Sequence, residues 1–224
     1  MGEARVSVCT VARGGQAQLS AMLRGLALQA HRPTELVIGC MQPEPYAKLP
    51  SMPFPVRQIE VAGDALPHSA AHNACVEAAT GSTLIFLDAA CIPSPDLVAG
   101  YRNAVATGGG CIIGETRQLA EGEMQDDAGF EKLWRRAGPP PGTDHRAAHG
   151  KGVHAIADHG EFTSLSFALS RKSFHRAGGF DGALTGHGVG DADFAARLAR
   201  ANVALFWSSR PRAVRQWSHV APSG

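Results

Sequence analysis

The sequence has no long apolar segment, and this absence predicts a chain without a membrane-spanning helix. No uninterrupted apolar run approaches the roughly 18 residues that a bilayer requires, and residues 1–5 are too few and too polar for a signal peptide. Cysteine is scarce: the 5 cysteines are widely spaced and mostly set in apolar runs. Such a distribution is typical of small buried residues in a reducing compartment rather than of a disulfide framework. We therefore predict a cytoplasmic protein.

A strong net charge is also missing. Lys and Arg are scattered along the chain and the formal charge is +1 at pH 7, which argues against the basic surface that nucleic-acid-binding proteins use. No G-x-G-x-x-G fingerprint follows the first predicted strand, so a dinucleotide-binding dehydrogenase is disfavoured. By contrast, 44% of the 224 residues are hydrophobic, which is enough to bury a substantial core.

Strand-like and helix-like segments alternate through the first half of the chain. This β-α-β order predicts parallel strands joined by right-handed crossovers, and therefore an α/β fold. The hydrophobic periodicity predicts helices at residues 16–30 and around 71–78, and short apolar strands at residues 6–11, 36–40, 56–61 and 84–87.

The second half is less regular. We predict a strand at residues 111–114, a helix at 120–136, a strand at 203–207 and an edge strand at 213–216. Residues 138–160, rich in proline, glycine and histidine, are predicted to form a mobile flap over the ligand. A zinc site built from the histidines of this loop is the less favoured alternative, because no cysteine lies nearby and their spacing is irregular.

Residues 161–193 are the stretch around which the chain is organised. They predict a strand, a short basic helix, a Gly-Gly break and a glycine-rich loop that brings Asp191 and Asp193 to the start of an amphipathic helix. Asp191 is interpreted either as a helix cap or as a general base at the mouth of a cleft. Glycines at 186, 188 and 190 favour the base, because they let the backbone approach a ligand closely.

A second notable carboxylate, Asp88, follows the apolar strand at residues 84–87. Ligand sites of open α/β sheets lie at the carboxyl ends of their strands, so this position favours a ligand-binding role. Pro93 and Pro95 then fix a turn before the next predicted helix. The alternative for Asp88 is a turn residue that closes the strand.

Several of these motifs resemble those of a known family. The strand end F-A-L-S-R (167–171), the segment F-H-R-A-G-G-F-D (174–181) and the glycine-rich loop before an acidic helix start resemble family 2 glycosyltransferases of the GT-A fold, closest to their galactosyltransferase-like branch. The resemblance runs from about residue 6 to 222. It implies a single Rossmann-like domain over residues 1–224, with a mixed, mainly parallel central sheet flanked by helices. Residues 1–115 would bind the nucleotide sugar and residues 116–224 the acceptor.

The resemblance also implies an activity. It implies transfer of a hexose from a nucleotide diphosphate sugar, a UDP-sugar in our interpretation, to an acceptor hydroxyl, with inversion and with help from Mn²⁺ or Mg²⁺. The acceptor would be a glycan, a lipid-linked molecule or a small molecule, which leaves peripheral membrane association open. Asp191 would be the general base, Asp193 a helix-supporting or acceptor-binding residue, and Asp88 and His219 the metal ligands. The nucleotide-sugar-binding residues would be Thr10, Ala12, Arg13, His72, Asn73 and Asp88.

The sequence departs from the family pattern at the end of the second strand, where residues 38–40 read I-G-C in place of one or two aspartates and leave the base open, and at two acidic positions of the presumed site. Ala90 stands where the second carboxylate of the Asp-x-Asp segment is expected, and Gly190 stands where a Gly-Glu-Asp loop has its glutamate. A second hypothesis is therefore a degenerate member that binds nucleotide, glycan or a protein partner without catalysis. An intermediate one is a metal-independent transferase, in which His72 or Arg13 takes over the role of the cation. A nucleotidyltransferase is disfavoured, because its lysine-bearing glycine loop is missing.

Overall fold

A computed structural model describes residues 4–61, 63, 66–123, 129–140, 150–186 and 188–217. Within them, one sheet is flanked by helices on both faces. The strands are β1 (Val6–Ala12), β2 (Glu35–Cys40), β3 (Val56–Glu60), β4 (Thr83–Leu87), β5 (Cys91–Pro93), β6 (Cys111–Gln118), β7 (Val153–Ile156), β8 (Ser166–Ser170) and β9 (Leu205–Arg215). The helices are α1 (Gln16–Ala27), α2 (His68–Ala78), α3 (Leu97–Gly108), α4 (Phe130–Arg136), α5 (Arg171–Ala177) and α6 (Val189–Arg200), with a 3-10 turn at His159–Glu161.

The sheet is mixed, and its order is β3-β2-β1-β4-β8-β6-β9-β5, with β7 also paired to β9. Strands β1 to β4, β6 and β9 share one direction, while β5, β7 and β8 run against them. Six of the nine described strands are thus parallel in direction, and the predicted α/β class with a mainly parallel sheet is confirmed. The front half carries the β-α-β crossovers, and the antiparallel strands belong to the chain after β4.

The central strands are buried because both faces are covered. On one face of β1, Cys9 and Val11 belong to the core under α2 and α6, and on the other face Val8 and Ala12 belong to the core under α1 and α3. The face toward α6 is unusually rich in phenylalanine, and ring stacking holds the segments before and within α6 on the sheet. Its members are Phe86, Phe162, Phe167, Phe174, Phe180 and Phe194.

Two predictions about the second half are wrong. The predicted helix at 120–136 is helical in Phe130–Arg136, while residues 121 and 122 form a turn in which Gly122 has a φ of 75°. The predicted strands at 203–207 and 213–216 are one strand, β9, which pairs along β6 with a shift in register after Gly114. The end of β9 is not an edge, because β5 pairs with its outer side.

The predicted flap at residues 138–160 contains regular structure in its described part. Strand β7 adds to β9, and His159 donates a hydrogen bond from Nε2 to the carbonyl of Val203 over 2.9 Å. His145 and His149 lie outside the described residues, and the role of residues 138–160 as a flap stays a prediction. Of the helices that the structure describes, none combines the length and apolar character needed to cross a bilayer.

Arg171 explains why the strand end F-A-L-S-R closes with arginine. Its guanidinium donates hydrogen bonds to the carbonyls of Val76, Ala79 and Gly81, at distances of 2.8 to 2.9 Å. These carbonyls belong to the last turn of α2 and the segment after it, where a helix leaves acceptors without intrahelical partners and concentrates negative charge. Arg171 therefore fastens the start of α5 to the end of α2.

Replacement of Arg171 by alanine is expected to lower the free energy of unfolding by about 2–4 kcal/mol, because three carbonyls lose a charged donor. Arg171→Lys should recover a part of this loss, since an ammonium group cannot reproduce the planar fork. Urea unfolding followed by circular dichroism measures the effect, with exposed Lys172→Ala as the matched control. Equal midpoints for Arg171→Ala and Lys172→Ala would show that this contact contributes nothing.

Candidate functional site

A cavity of about 250 Å³ opens at the edge of the sheet where β1, β4 and β9 end. The chain enters β8 at the same edge, and helices α2 and α6 both begin there. The edge is therefore the carboxyl side of the parallel strands, where ligands of open α/β sheets bind. The cavity is lined by Val11, His68, Ser69, His72, Asp88, Thr163, Ser164, Leu165, Phe180, Gly186, Gly188, Gly190, Asp191 and Arg215.

Asp191 lies in the first turn of α6 and faces the cavity. The helix begins at Val189 after Gly188, and among the described residues no side chain caps it, so the cap interpretation of Asp191 is wrong. Its Oδ2 instead accepts a hydrogen bond from the backbone N–H of Ser164 over 3.0 Å, which fixes the carboxylate against the entry to β8. Burial raises the pKa of Asp191, and the hydrogen bonds from Ser164 oppose that rise.

Asp88 lies at the turn between β4 and β5. Its Oδ1 accepts a hydrogen bond from Ala90 N–H over 2.8 Å, and its carbonyl accepts another from Cys91 N–H. This is the turn role that a short carboxylate commonly plays at a strand end. The side chain also lines the cavity, and in the described part of the chain no donor reaches its Oδ2. One carboxylate oxygen thus shapes the turn, and the other is available to a ligand.

The two carboxylates affect each other electrostatically. The negative charge of Asp88 adds to burial in raising the pKa of Asp191. Two like charges near one cavity disfavour simultaneous ionisation, and this is a common way to prepare a carboxylate for proton transfer near neutral pH. Sequence position alone could not show this proximity, because Asp88 and Asp191 belong to opposite halves of the chain.

His72 forms part of the cavity wall from the second turn of α2. Its ring stacks on Phe180 with centroids 5.0 Å apart and meets the edge of Phe86. Burial lowers the pKa of His72 to about 3, helped by nearby His68, so the ring is neutral at physiological pH. Its Nδ1 is buried and has no hydrogen-bond partner among the described residues. A buried polar atom of this kind is destabilising unless a ligand or water satisfies it.

Asn73, the neighbour of His72, is engaged with the backbone. Its amide donates to the carbonyl of Phe180 over 2.8 Å and accepts from the N–H of Phe180 over 3.0 Å. Gly179 makes this possible: its φ is 67°, and a Cβ there would lie 2.9 Å from the Asn73 oxygen. Asn73 therefore holds the turn that carries Phe180, and its predicted contact with the nucleotide sugar stays a prediction.

The first strand supplies the other residues predicted to bind the nucleotide sugar. Thr10 is fully buried within the sheet, and its Oγ1 has no partner among the described residues. Ala12 is buried, and its carbonyl accepts a hydrogen bond from Met41 N–H. Arg13 is exposed just beyond the strand end. It is Val11, between these residues, that lines the cavity, and the nucleotide contacts of Thr10, Ala12 and Arg13 stay predictions.

Asp193 forms an ion pair with Arg197, one turn further along α6, and Arg197 also contacts Asp181. These contacts tie the helix start to the turn after α5, and Asp193 is not among the residues that line the cavity. Its predicted contact with an acceptor is untested.

The predicted metal site is described in part. His219 lies outside the described residues, so Asp88 is the predicted ligand that can be placed. Within the described ranges, no cluster of three or more His, Cys, Asp or Glu side chains could hold a metal ion. One oxygen of Asp88 is already engaged by Ala90, and hard cations such as Mn²⁺ and Mg²⁺ require several oxygen ligands. The described residues therefore do not form a complete cation site.

Gly190, one of the departures from the family pattern, packs closely against helix α2. A Cβ at this position would lie 2.6 Å from Ser69 Oγ on α2, closer than side chains approach each other. The start of α6 therefore packs closely on α2, and a side chain at 190 requires the Ser69 hydroxyl to change its rotamer or the start of α6 to shift.

We expect Gly190→Ala to lower the free energy of unfolding by about 1–3 kcal/mol through overpacking. The double variant Gly190→Ala with Ser69→Ala should recover much of the loss, because it removes the hydroxyl that the new Cβ meets. Gly108→Ala is the matched control, since Gly108 also lies in a helix and a Cβ there would meet Ile112 at an ordinary contact distance of 3.8 Å. A double-mutant cycle by urea unfolding measures the coupling, and additive effects would refute the contact.

Sequence reasoning missed Arg215, His68, Ser69 and Ser164 as cavity residues. Arg215 lay inside a predicted edge strand, and its location depends on the pairing of β9 with β5, which places it opposite Cys91. The sequence feature that could have indicated a role for Arg215 is a charged residue at the end of an otherwise apolar strand segment. His68 and Ser69 are close to His72 on α2. The spacing of four residues between His68 and His72 places both on one face of a helix and could have indicated that His68 also lines the cavity.

No protein-family model and no curated protein sequence matches this chain. Among solved structures it is similar to the crystal structure of GalNAc-T7 with UDP, GalNAc and Mn²⁺, at 17% sequence identity and a TM-score of 0.66. The match covers 96% of this chain and 44% of that chain, so the chain spans less than half the length of GalNAc-T7 in that structure. The chain has the GT-A glycosyltransferase fold, as the motifs predicted. Membership of family 2 stays a prediction.

Proposed function

We propose that the protein is a glycosyltransferase that moves a hexose from a UDP-sugar to an acceptor hydroxyl and inverts the anomeric centre. The observation that carries this proposal is the pair of carboxylates, Asp88 and Asp191, that face one cavity at the carboxyl edge of the sheet. GalNAc-T7 supports the class of donor, because its structure holds UDP and GalNAc in the same fold. In this proposal residues 1–115 bind the nucleotide and residues 116–224 bind the acceptor.

Asp191 is the general base of the proposed reaction. The acceptor oxygen forms a bond to the anomeric carbon while the bond from that carbon to the donor phosphate breaks, and the acceptor proton passes to the Asp191 carboxylate. The raised pKa of Asp191 suits this role, because a base accepts a proton best when its pKa approaches the working pH. Its hydrogen bond from Ser164 fixes the carboxylate in one orientation.

Asp88 binds the donor in the same proposal, with its Oδ2 available for the ribose or a bound cation. A divalent cation, Mn²⁺ or Mg²⁺, would neutralise charge on the departing diphosphate. The resemblance assigns His219 as its second ligand. Because the described residues do not complete such a site, the assignment of the metal to Asp88 and His219 stays a proposal, and the steps above depend on the side chains alone.

Calorimetric titration with UDP, in Mn²⁺ and in a chelator, is the first test. We expect UDP to bind, and to bind more tightly with Mn²⁺ if Asp88 and His219 hold the cation. Incubation with UDP-hexoses and measurement of released UDP then tests turnover. Absence of UDP binding in both conditions would overturn the proposed donor.

A degenerate, non-catalytic member is the second candidate, and Ala90 is the observation that favours it. Its N–H donates to Asp88 Oδ1 and its carbonyl accepts a hydrogen bond from Gln216 N–H, so both backbone groups of Ala90 are engaged within the protein while its side chain offers no carboxylate. Tight UDP binding without any release of UDP from UDP-hexoses, in the presence of acceptor mixtures, is the result that this candidate predicts.

A further inference from the structure

Arg215 brings to the cavity a positive charge that no carboxylate of the described residues pairs. It is half-buried at the end of β9 and lines the cavity together with Asp88 and Asp191. No carboxylate lies within ion-pair distance of its guanidinium in the described part of the chain, including the two carboxylates of the cavity. Arginine stays protonated in proteins, so this charge is permanent. A charge that is partly removed from water and unpaired is destabilising unless an anion binds it.

The location of Arg215 is fixed by backbone contacts. It pairs with Cys91 across β9 and β5, and its carbonyl accepts a hydrogen bond from Leu119 N–H over 3.0 Å. Cys91 closes the turn that begins at Asp88. The Asp88 turn and Arg215 are therefore held together by sheet pairing on two sides, and Arg215 is not carried on a loose chain end.

Other groups at the cavity also favour an anion. Helices α2 and α6 begin at the cavity, and neither has a side-chain cap among the described residues. The N–H groups of His68 and Asp191 already bond to the carbonyls of Leu66 and Gly188, so the contribution of the two helix starts is the positive end of their dipoles. The buried Nδ1 of His72 has no described partner either. The set of an arginine, two helix starts and an unsatisfied imidazole suits an oxyanion with several acceptor atoms, such as a diphosphate.

We propose that Arg215 binds the diphosphate of the sugar donor and supports its departure. This inference rests on the proposed function and names a residue that the resemblance did not assign. As the bond between the anomeric carbon and the phosphate oxygen breaks, the electron pair leaves with the nucleoside diphosphate, whose terminal phosphate gains one negative charge. The Arg215 guanidinium donates hydrogen bonds to those oxygens, while the acceptor proton goes to Asp191.

The test compares the binding of UDP, UMP and inorganic pyrophosphate to wild-type protein and variants by calorimetry, with UDP and UMP measured both in Mn²⁺ and in a chelator and pyrophosphate in a chelator. Arg215→Gln is expected to weaken UDP binding about 10- to 100-fold and to remove the preference of the wild type for UDP over UMP. Arg215→Lys keeps the charge and should lose about 10-fold or less. Arg210→Gln is the matched control, because Arg210 is an exposed arginine on the same strand and should bind UDP like the wild type.

The outcomes separate the two proposals. If wild type binds UDP and Arg215→Gln binds it equally well, the role of Arg215 is overturned and the function stands. If wild type binds pyrophosphate in an Arg215-dependent manner but binds UDP in neither condition, the anion site stands and the UDP-sugar function is overturned. Binding of neither ligand in any condition overturns both. Urea unfolding shows whether Arg215→Gln is folded. If it is not, the ratio of UDP to UMP affinity is measured for Arg215→Lys instead, and a ratio equal to that of the wild type overturns the role of Arg215.

Discussion

Asp191→Asn is expected to reduce kcat by about 10²- to 10⁴-fold, with a much smaller change in UDP affinity. The range is the usual contribution of a positioned general base. Asparagine keeps an oxygen for the hydrogen bond from Ser164 N–H, so the start of α6 should stay in place while the proton acceptor is lost. The rate of UDP release from the active UDP-hexose, measured under saturating donor and acceptor, gives the effect.

The same substitution is expected to leave stability unchanged or to raise it at neutral pH. The pKa of Asp191 is raised in the folded protein, so the folded state binds its proton more tightly than the unfolded state does. The folded state therefore loses stability as pH rises from the ordinary pKa of the carboxyl through the raised one. Asparagine cannot ionise and avoids this loss. Functional sites often keep such a destabilising group because the reaction requires it.

Asp96→Asn is the matched control for Asp191, because Asp96 also lies at the start of a helix but not among the residues that line the cavity. Its hydrogen bond from Ser94 Oγ can be retained by asparagine. We expect kcat close to that of wild type. Equal activity of Asp191→Asn and wild type would assign the base to another group.

Strands β1, β2 and β4 were predictable because each is mostly apolar, buried along its length and bounded by turn residues. β4, for example, is buried throughout and covered on both faces, so its sequence has one reasonable interpretation. β5 and β7 were missed because they are three and four residues long. β7 also lies in a segment whose composition suggests a loop, and it becomes a strand because the edge of β9 offers backbone partners.

For the candidate site, the sequence identified groups whose location follows from local structure. Asp88 follows a strand and Asp191 opens a helix, and both positions are readable within a few residues. Arg215 is different, because its place in the cavity depends on a register between β9 and β5 that no local pattern encodes. The packing of Gly190 on Ser69 likewise depends on how α2 and α6 lie against each other, so the sequence alone does not explain why residue 190 is a glycine.

Asp88→Asn is expected to change both donor binding and the pH profile. The substitution preserves the turn, because the asparagine oxygen can accept the hydrogen bond from Ala90 N–H in place of Asp88 Oδ1. It removes the negative charge that Asp88 brings to the cavity. Loss of a charged acceptor for the donor should weaken UDP-sugar binding about 10- to 100-fold, as measured by calorimetry in Mn²⁺.

The pH dependence gives the sharper result, because it tests the electrostatic effect of Asp88 on Asp191 directly. A base must be ionised, so kcat/KM falls as pH drops through the raised pKa of Asp191. The charge of Asp88 is part of the cause of that rise, and its removal should therefore move the acid limb of kcat/KM to lower pH. Asp158→Asn is the control, since exposed Asp158 makes the same turn contact, with Gly160 N–H, away from the cavity. The contrary result is an acid limb that stays in place in Asp88→Asn while Asp191→Asn is inactive. It would show that Asp88 does not affect the ionisation of the base and acts on donor binding alone.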